Sequence, residues 1–139
     1  MTIIGIDPGT KTGIAVIKDG IYTEIKTMSI IEAIFFINDL YVTDEIEVYI
    51  ENPNLRKYFG NTGREVLQGA GSIKRDYAIW EDYFTKMKIK FTPVSPQSVG
   101  SQFDNLTIFK AATGWKKRTS THARDAAKII FKFCKKWKS

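Results

Sequence analysis

Between Thr2 and Lys26 three short apolar runs are separated only by Pro8-Gly9-Thr10-Lys11 and by Asp19-Gly20. Connections that short join antiparallel strands, because a parallel crossover takes a dozen residues or more. Residues 2–7, 12–18 and 21–26 therefore read as an antiparallel meander, with Asp-Gly supplying the positive φ of a tight hairpin. The pattern then changes. Ser29 with Glu32 makes a capping box, and Ile30, Ile34, Ile37 and Tyr41 recur at helical spacing, which predicts a helix over 29–40. Residues 45–51 alternate strictly, with Ile46, Val48 and Ile50 on one face, as a strand does. Thr62 and Glu65 form a second capping box. It opens a periodic segment in which Val66, Ala70, Ile73, Tyr77, Trp80, Phe84 and Met87 make one apolar stripe along about seven helical turns. Residues 89–94 read as a strand and Ser95-Pro96 opens a helical stretch. Gly114 ends a short helix from Thr107, and a last helix over 121–137 buries Ala123, Ala127, Ile130, Cys134 and Trp137.

The order βββ-α-β-α-β-α-α implies an α/β fold. Its mixed five-stranded sheet is antiparallel through the first three strands, parallel through the last two, and covered by helices on both faces. The 139 residues carry no repeat, low-complexity stretch or linker, so residues 1–139 read as one domain. Cys134 is the single cysteine and reads as a small buried apolar residue. The opening MTIIGIDPGT has no basic segment followed by an apolar one, and no run approaches ~18 apolar residues, so a cytoplasmic protein is expected.

Charge is unevenly placed. Lys110 to Ser139 hold ten basic residues and one acid, Asp125, for a local charge of +9, which leaves −3 on residues 1–109 of the overall +6. Such a segment is either a solvated helix face or a polyanion contact, since phosphate neutralisation by Lys and Arg drives nucleic-acid binding.

Four residues stand out as chemistry. Asp7 follows the first strand and is either a turn residue or a site residue, and Glu51 ends the alternating strand. If those two strands lie parallel and adjacent, both carboxylates emerge at carboxyl ends, where open α/β sheets build their sites. His122, the only histidine, and Asp125 share one face at the start of the last helix. Three carboxylates suit Mg²⁺, and one imidazole makes Mn²⁺ an acceptable substitute. Two such ions about 3.5–4 Å apart serve phosphodiester hydrolysis. There is no P-loop, CxxC or zinc spacing.

The segment G-I-D-P-G-T-K-T-G-I-A-V resembles the opening strand-turn-strand of RuvC-type Holliday junction resolvases of the ribonuclease H-like superfamily. V-Y-I-E is similar to their second motif and R-T-S-T-H-A-R-D-A-A to their last, and the compact length looks like phage-encoded members. The resemblance implies a metal-dependent endonuclease acting on four-way or other branched DNA as a homodimer, with no nucleotide cofactor. Asp7, Glu51, His122 and Asp125 are the implied catalytic and metal-binding residues. Lys11, Arg56, Tyr58, Phe59, Lys110, Lys116, Lys117, Arg118 and Arg124 are the expected DNA contacts. The family's Phe shortly after the Glu has no counterpart at that distance, so Tyr58 and Phe59 stand either as stacking replacements or as ordinary core. The alternatives are a YqgF-like or ribonuclease H-like nuclease acting on RNA, and a junction-binding module without catalysis. Sugar kinases and actin-like proteins share such an opening but need two of these domains.

Overall fold

The computed structural model describes residues 1–55, 64–95 and 105–135. Strands β1 (Thr2–Asp7), β2 (Lys11–Lys18) and β3 (Ile21–Ser29) form the expected meander, followed by α1 (Ile30–Thr43) and β4 (Ile46–Glu51). Then come α2 (Arg64–Met87), β5 (Phe91–Val94), α3 (Leu106–Thr113) and α4 (Thr121–Ile129). The sheet order is β3-β2-β1-β4-β5, with β1–β2 and β2–β3 antiparallel and β1–β4 and β4–β5 parallel.

Local chemistry explains the boundaries. The β2–β3 turn places Asp19 at φ 54° and Gly20 at φ 81°, the left-handed pair that Asp-Gly tolerates. Ser29 Oγ accepts from the Glu32 amide while the Ser29 amide donates to the Glu32 carboxylate, which completes the first capping box. Asn105 caps α3, and Gly114 at φ 73° ends it in the left-handed conformation.

Helices cover both faces. On one, Ile4, Ile6, Ile14, Val16, Val48 and Ile50 meet Ala33 and Ile37 of α1 and Tyr77, Trp80 and Phe84 of α2. On the other, Ile3, Ala15, Ile17, Tyr22 and Ile25 meet Phe109 of α3 and Ala123, Ala126, Ala127 and Ile130 at the end of the chain. Part of the long α2 stripe therefore packs on the sheet, although Met87 is exposed. Thr62, Pro96 and Trp137 lie outside the described residues, as do the side chains of Val66, Ala70 and Ile73.

Three boundaries differ from expectation. Strand β3 continues to Ser29, because residues 24–29 keep pairing with β2 as far as Lys11. Strand β5 begins at Phe91: Lys88 turns at φ 58° and the Ile89 amide returns to the Phe84 carbonyl, so Ile89 plugs the end of α2 instead of extending. The last helix stops at Ile129, well short of Trp137. Ile130 leaves the helical region at φ −110°, ψ 12°, and residues Phe131–Phe133 form a single 3-10 turn. Tertiary contacts outweigh helix continuation there: the Phe133 ring packs tilted against Tyr49 with centroids 5.2 Å apart, and the Lys135 amide donates to the Gly20 carbonyl at 2.8 Å. Cys134 is buried and free, as its composition suggested.

Candidate active site

Strand alternation decides which side chains share a face. Ile3, Gly5 and Asp7 of β1, Gly13, Ala15 and Ile17 of β2, and Tyr49 and Glu51 of β4 all look toward α4. Asp7 pairs with Gly13 across the antiparallel ladder. In the parallel ladder Ile6 pairs with Ile50, so Asp7 and Glu51 stand level, one residue further along. Both carboxylates emerge together at the carboxyl ends of adjacent strands.

Helix α4 brings the other two residues to them, and two glycines let it come close. A Cβ on Gly13 would sit 2.0 Å from the His122 carbonyl oxygen, and one on Gly5 would sit 2.4 Å from that of Ala126. The helix backbone therefore rests directly on the strands, with alanines 123, 126 and 127 filling the remaining space. Neither glycine was singled out from sequence, yet a Gly inside a strand is a recognisable sign of close backbone approach. The helix start is held from outside as well. Ser120 Oγ accepts from the Ala123 amide at 3.1 Å and also contacts the Thr27 hydroxyl of β3. The Tyr22 hydroxyl donates to the Ala127 carbonyl at 2.6 Å.

The result is contact between distant segments. His122 Nδ1 lies 3.1 Å from Asp7 Oδ2. With Asp7 ionised, Nδ1–H is the donor and Nε2 keeps its lone pair for a ligand or a proton. The Asp7 side chain is only 12% exposed, whereas those of His122 and Asp125 are 53% and 35% exposed. The Asp7 carboxyl is pushed up to about 6, chiefly by burial; a hydrogen bond with Glu51 opposes this, and the nearby Asp125 charge adds to it. Lys128 Nζ stands 3.5 Å from Asp125 Oδ1.

Carboxylates and an imidazole are donors of the kind a hard divalent cation accepts, and burial together with the nearby Asp125 charge disfavours the ionised Asp7. Among the described residues no group of three or more such side chains is already arranged to enclose an ion.

The expected nucleic-acid contacts divide. Lys11, Lys110, Lys116, Lys117 and Arg118 are exposed. The last three lie in the loop between α3 and α4, where Lys117 Nζ sits 5.5 Å above the Trp115 ring. The Arg124 guanidinium instead donates to the Thr119 carbonyl at 2.9 Å and to the Thr119 hydroxyl at 3.1 Å, so it clasps the loop that precedes α4. Arg56, Tyr58 and Phe59 lie outside the described residues.

The raised Asp7 carboxyl has a measurable consequence for the metal-free protein. A folded-state value near 6 against an ordinary 3.8 means that the folded chain holds this proton more tightly. The resulting stabilisation is complete below pH 3.8 and is lost as pH rises through about 6. It amounts to roughly 3 kcal/mol at most, by the rule of ~1.4 kcal/mol per unit. In EDTA, Asp7→Asn should therefore equal or exceed the parent in urea-melt stability at pH 8. Its advantage should shrink steadily toward pH 4. A difference that is flat across this range would mean that Asp7 is not the group penalised by burial.

No family model and no curated protein matches the sequence. By structure the chain is similar to T. thermophilus RuvC in complex with Holliday junction substrate. The TM-score is 0.59, with 94% of this chain and 91% of that one covered at 16% sequence identity. The fold, a mixed five-stranded sheet between helices, is ribonuclease H-like.

Proposed function

We propose that the protein is a divalent-metal-dependent endonuclease that hydrolyses phosphodiesters of branched DNA, four-way junctions above all. One observation supports this reading. Asp7 and Glu51 stand level at the carboxyl ends of β1 and β4, with His122 3.1 Å from Asp7 and the Asp125 charge near enough to raise it, in a ribonuclease H-like fold similar to that of a protein solved in complex with a Holliday junction substrate. Asp7, Glu51 and Asp125 would hold the cation, with His122 completing the set through Nε2. A bound Mg²⁺, or Mn²⁺ in its place, supplies Lewis-acid stabilisation of phosphate charge and makes a water more acidic. The chain does the rest. Asp7, anchored in the sheet, orients the His122 ring through Nδ1, and the exposed Lys116, Lys117 and Arg118 attract the phosphate backbone next to the start of α4.

Two symmetric cuts in a four-way junction call for two sites, which a two-fold homodimer supplies. The outer face of α1 keeps Ile31, Phe35 and Val42 exposed in an apolar row, which supports burial against a second copy. The decisive experiment compares labelled four-way, three-way, flap and linear duplex DNA with an RNA–DNA hybrid and a structured RNA, in Mg²⁺ and in Mn²⁺. Preferential nicking of the four-way junction is expected. Preference for either RNA would assign the site to ribonuclease chemistry, and tight junction binding without nicking would make the protein a binding module.

The loop residues give a separate expectation. Neutralising Lys116, Lys117 and Arg118 together should weaken junction binding and reduce the slope of log affinity against log salt by about 2–3, since each phosphate contact contributes about 0.9. An unchanged slope would leave this loop as a solvated surface.

A further inference from the structure

Strand β3 is an outer strand of the sheet, and a groove runs along each side of it at Lys26 and Thr27. The two differ in charge. The groove toward α1, of about 480 Å³, includes the acids Glu32 and Asp39 beside Met28, Phe35 and Phe36. The groove toward the loop before α4, of about 470 Å³, is lined by Ile25, Lys26, Thr27, Arg118, Thr119 and Ser120, with no carboxylate among them. The Lys26 ammonium sides with the first, 4.5 Å from the Phe36 ring centroid and 3.5 Å from Glu24 Oε2. Arg118 is the cation of the second. It is exposed, and among the described residues its five N–H donors meet no partner. Thr119 would turn two acceptors on an incoming anion, but the Arg124 guanidinium occupies its carbonyl at 2.9 Å and its hydroxyl at 3.1 Å. The Thr27 and Ser120 hydroxyls touch, and Ser120 Oγ also accepts from the Ala123 amide. One hydroxyl proton bridges the pair, so whichever way it points the other is left to donate to a ligand.

The groove is also well placed. Thr27 pairs with Gly13, and Gly13 with Asp7, so groove and acidic site share one row of the sheet, two strand spacings or roughly 10 Å apart. A duplex strand advances about 3.4 Å per nucleotide, so a phosphate in the groove stands about three nucleotides from one at Asp7. We infer that the groove between β3 and Arg118 is a phosphodiester subsite. The Arg118 guanidinium and the Thr27–Ser120 hydroxyl pair grip one phosphate of the strand that is cut at the neighbouring site. This rests on the proposed reading of the protein as a nuclease of branched DNA. A guanidinium fork bonds two phosphate oxygens at once, and a hydroxyl donor can fix a third, so Arg118 sets the register of the strand. Lys116 and Lys117 do not line the groove and act by charge alone.

The test is a double cycle on binding of a four-way DNA junction in EDTA. One strand carries a single methylphosphonate, an uncharged phosphate analogue, placed in turn at each position beside the branch point. With the parent, one position should weaken binding about tenfold, the loss of a charge-assisted contact. Arg118→Gln should bind the unmodified junction about tenfold more weakly and respond less than about twofold to the analogue at that position. Thr27→Val keeps the shape and loses the hydroxyl, and it should blunt the response at the same position. Lys90→Gln removes an equal charge from the exposed residue before β5, at the opposite end of the sheet, and should keep the parent profile. If Arg118→Gln is as sensitive as the parent at every position, only general attraction has been lost and the inference is overturned. A Thr27→Val protein with the parent profile overturns it as well. A parent that binds the junction but never nicks it in Mg²⁺ or Mn²⁺ loses the nuclease reading and leaves this cycle readable, so the two failures are distinguishable. A parent without affinity for the junction overturns both.

Discussion

Asp7→Asn is expected to cut a four-way DNA junction on the order of a thousandfold more slowly than the parent, equivalent to ~4 kcal/mol of transition-state stabilisation, while binding the junction at least as tightly. The argument has three steps. Asp7 is the buried member of the cluster and its carboxylate lies within hydrogen-bond distance of His122, so on the proposed reading its loss would remove a metal ligand and the orientation of a second group together. Asparagine fills the same volume without the charge that burial penalises, so the fold at neutral pH is not weakened and lost activity cannot be ascribed to unfolding. Removing negative charge from a surface that faces phosphates does not reduce attraction for DNA. Glu51→Gln should behave in the same way, since Glu51 stands level with Asp7 on the neighbouring strand. Single-turnover cleavage alongside junction binding in Ca²⁺ or EDTA separates the two effects. A variant that cuts at the parent rate removes that carboxylate from the mechanism.

The second large effect is expected at a residue with no side chain. Gly13→Ala would place a methyl group 2.0 Å from the His122 carbonyl oxygen and 2.5 Å from its carbon, and both of those atoms are backbone. No rotamer change relieves such a clash, so the start of α4 must lift by about 1 Å, at a cost of roughly 1–3 kcal/mol typical of overpacking. The same lift carries His122 away from Asp7 and Asp125 away from the strand ends. Misplacement by ~1 Å is enough for about a hundredfold loss of rate. Junction cleavage should thus fall much further than the melting midpoint predicts, and the spectroscopic fold should persist. Gly71→Ala is the control: nothing lies within 4 Å of a Cβ there, and α2 should gain about 0.5–1 kcal/mol from the better helix former. If Gly13→Ala cleaves like the parent, close docking of α4 is not what assembles the site.

Much of this was readable before any coordinates. The short connections at Pro8-Gly9 and Asp19-Gly20 left antiparallel pairing as the natural outcome, and the Ser29/Glu32 box and Gly114 marked real helix ends. The alternation of residues 45–51 put Glu51 on a definite face. Local rules govern such features, because a turn, a cap or a two-residue period depends only on neighbours in the chain. The adjacency of β1 and β4, needed for Asp7 and Glu51 to meet, was only a condition on paper, because a strand following β3 can pair at either edge of the meander, and the sheet order β3-β2-β1-β4-β5 met it.

Tertiary packing decided the rest. The last helix ends at Ile129 because Phe133 finds Tyr49 and the Lys135 amide finds the Gly20 carbonyl, contacts between residues 84 and 115 positions apart that no local pattern encodes. Arg124 and Lys128, equivalent basic residues on paper, take opposite parts: one clasps Thr119 at the surface, the other is buried against Asp125. The depth at which α4 sits is likewise set by the missing Cβ atoms of Gly5 and Gly13 facing its backbone. Strand period and helix caps are local, and they were enough to name the residue types at the end of the sheet. How close those residues stand and how deeply each is buried came from packing, because distance and desolvation belong to the assembled layers rather than to any one segment.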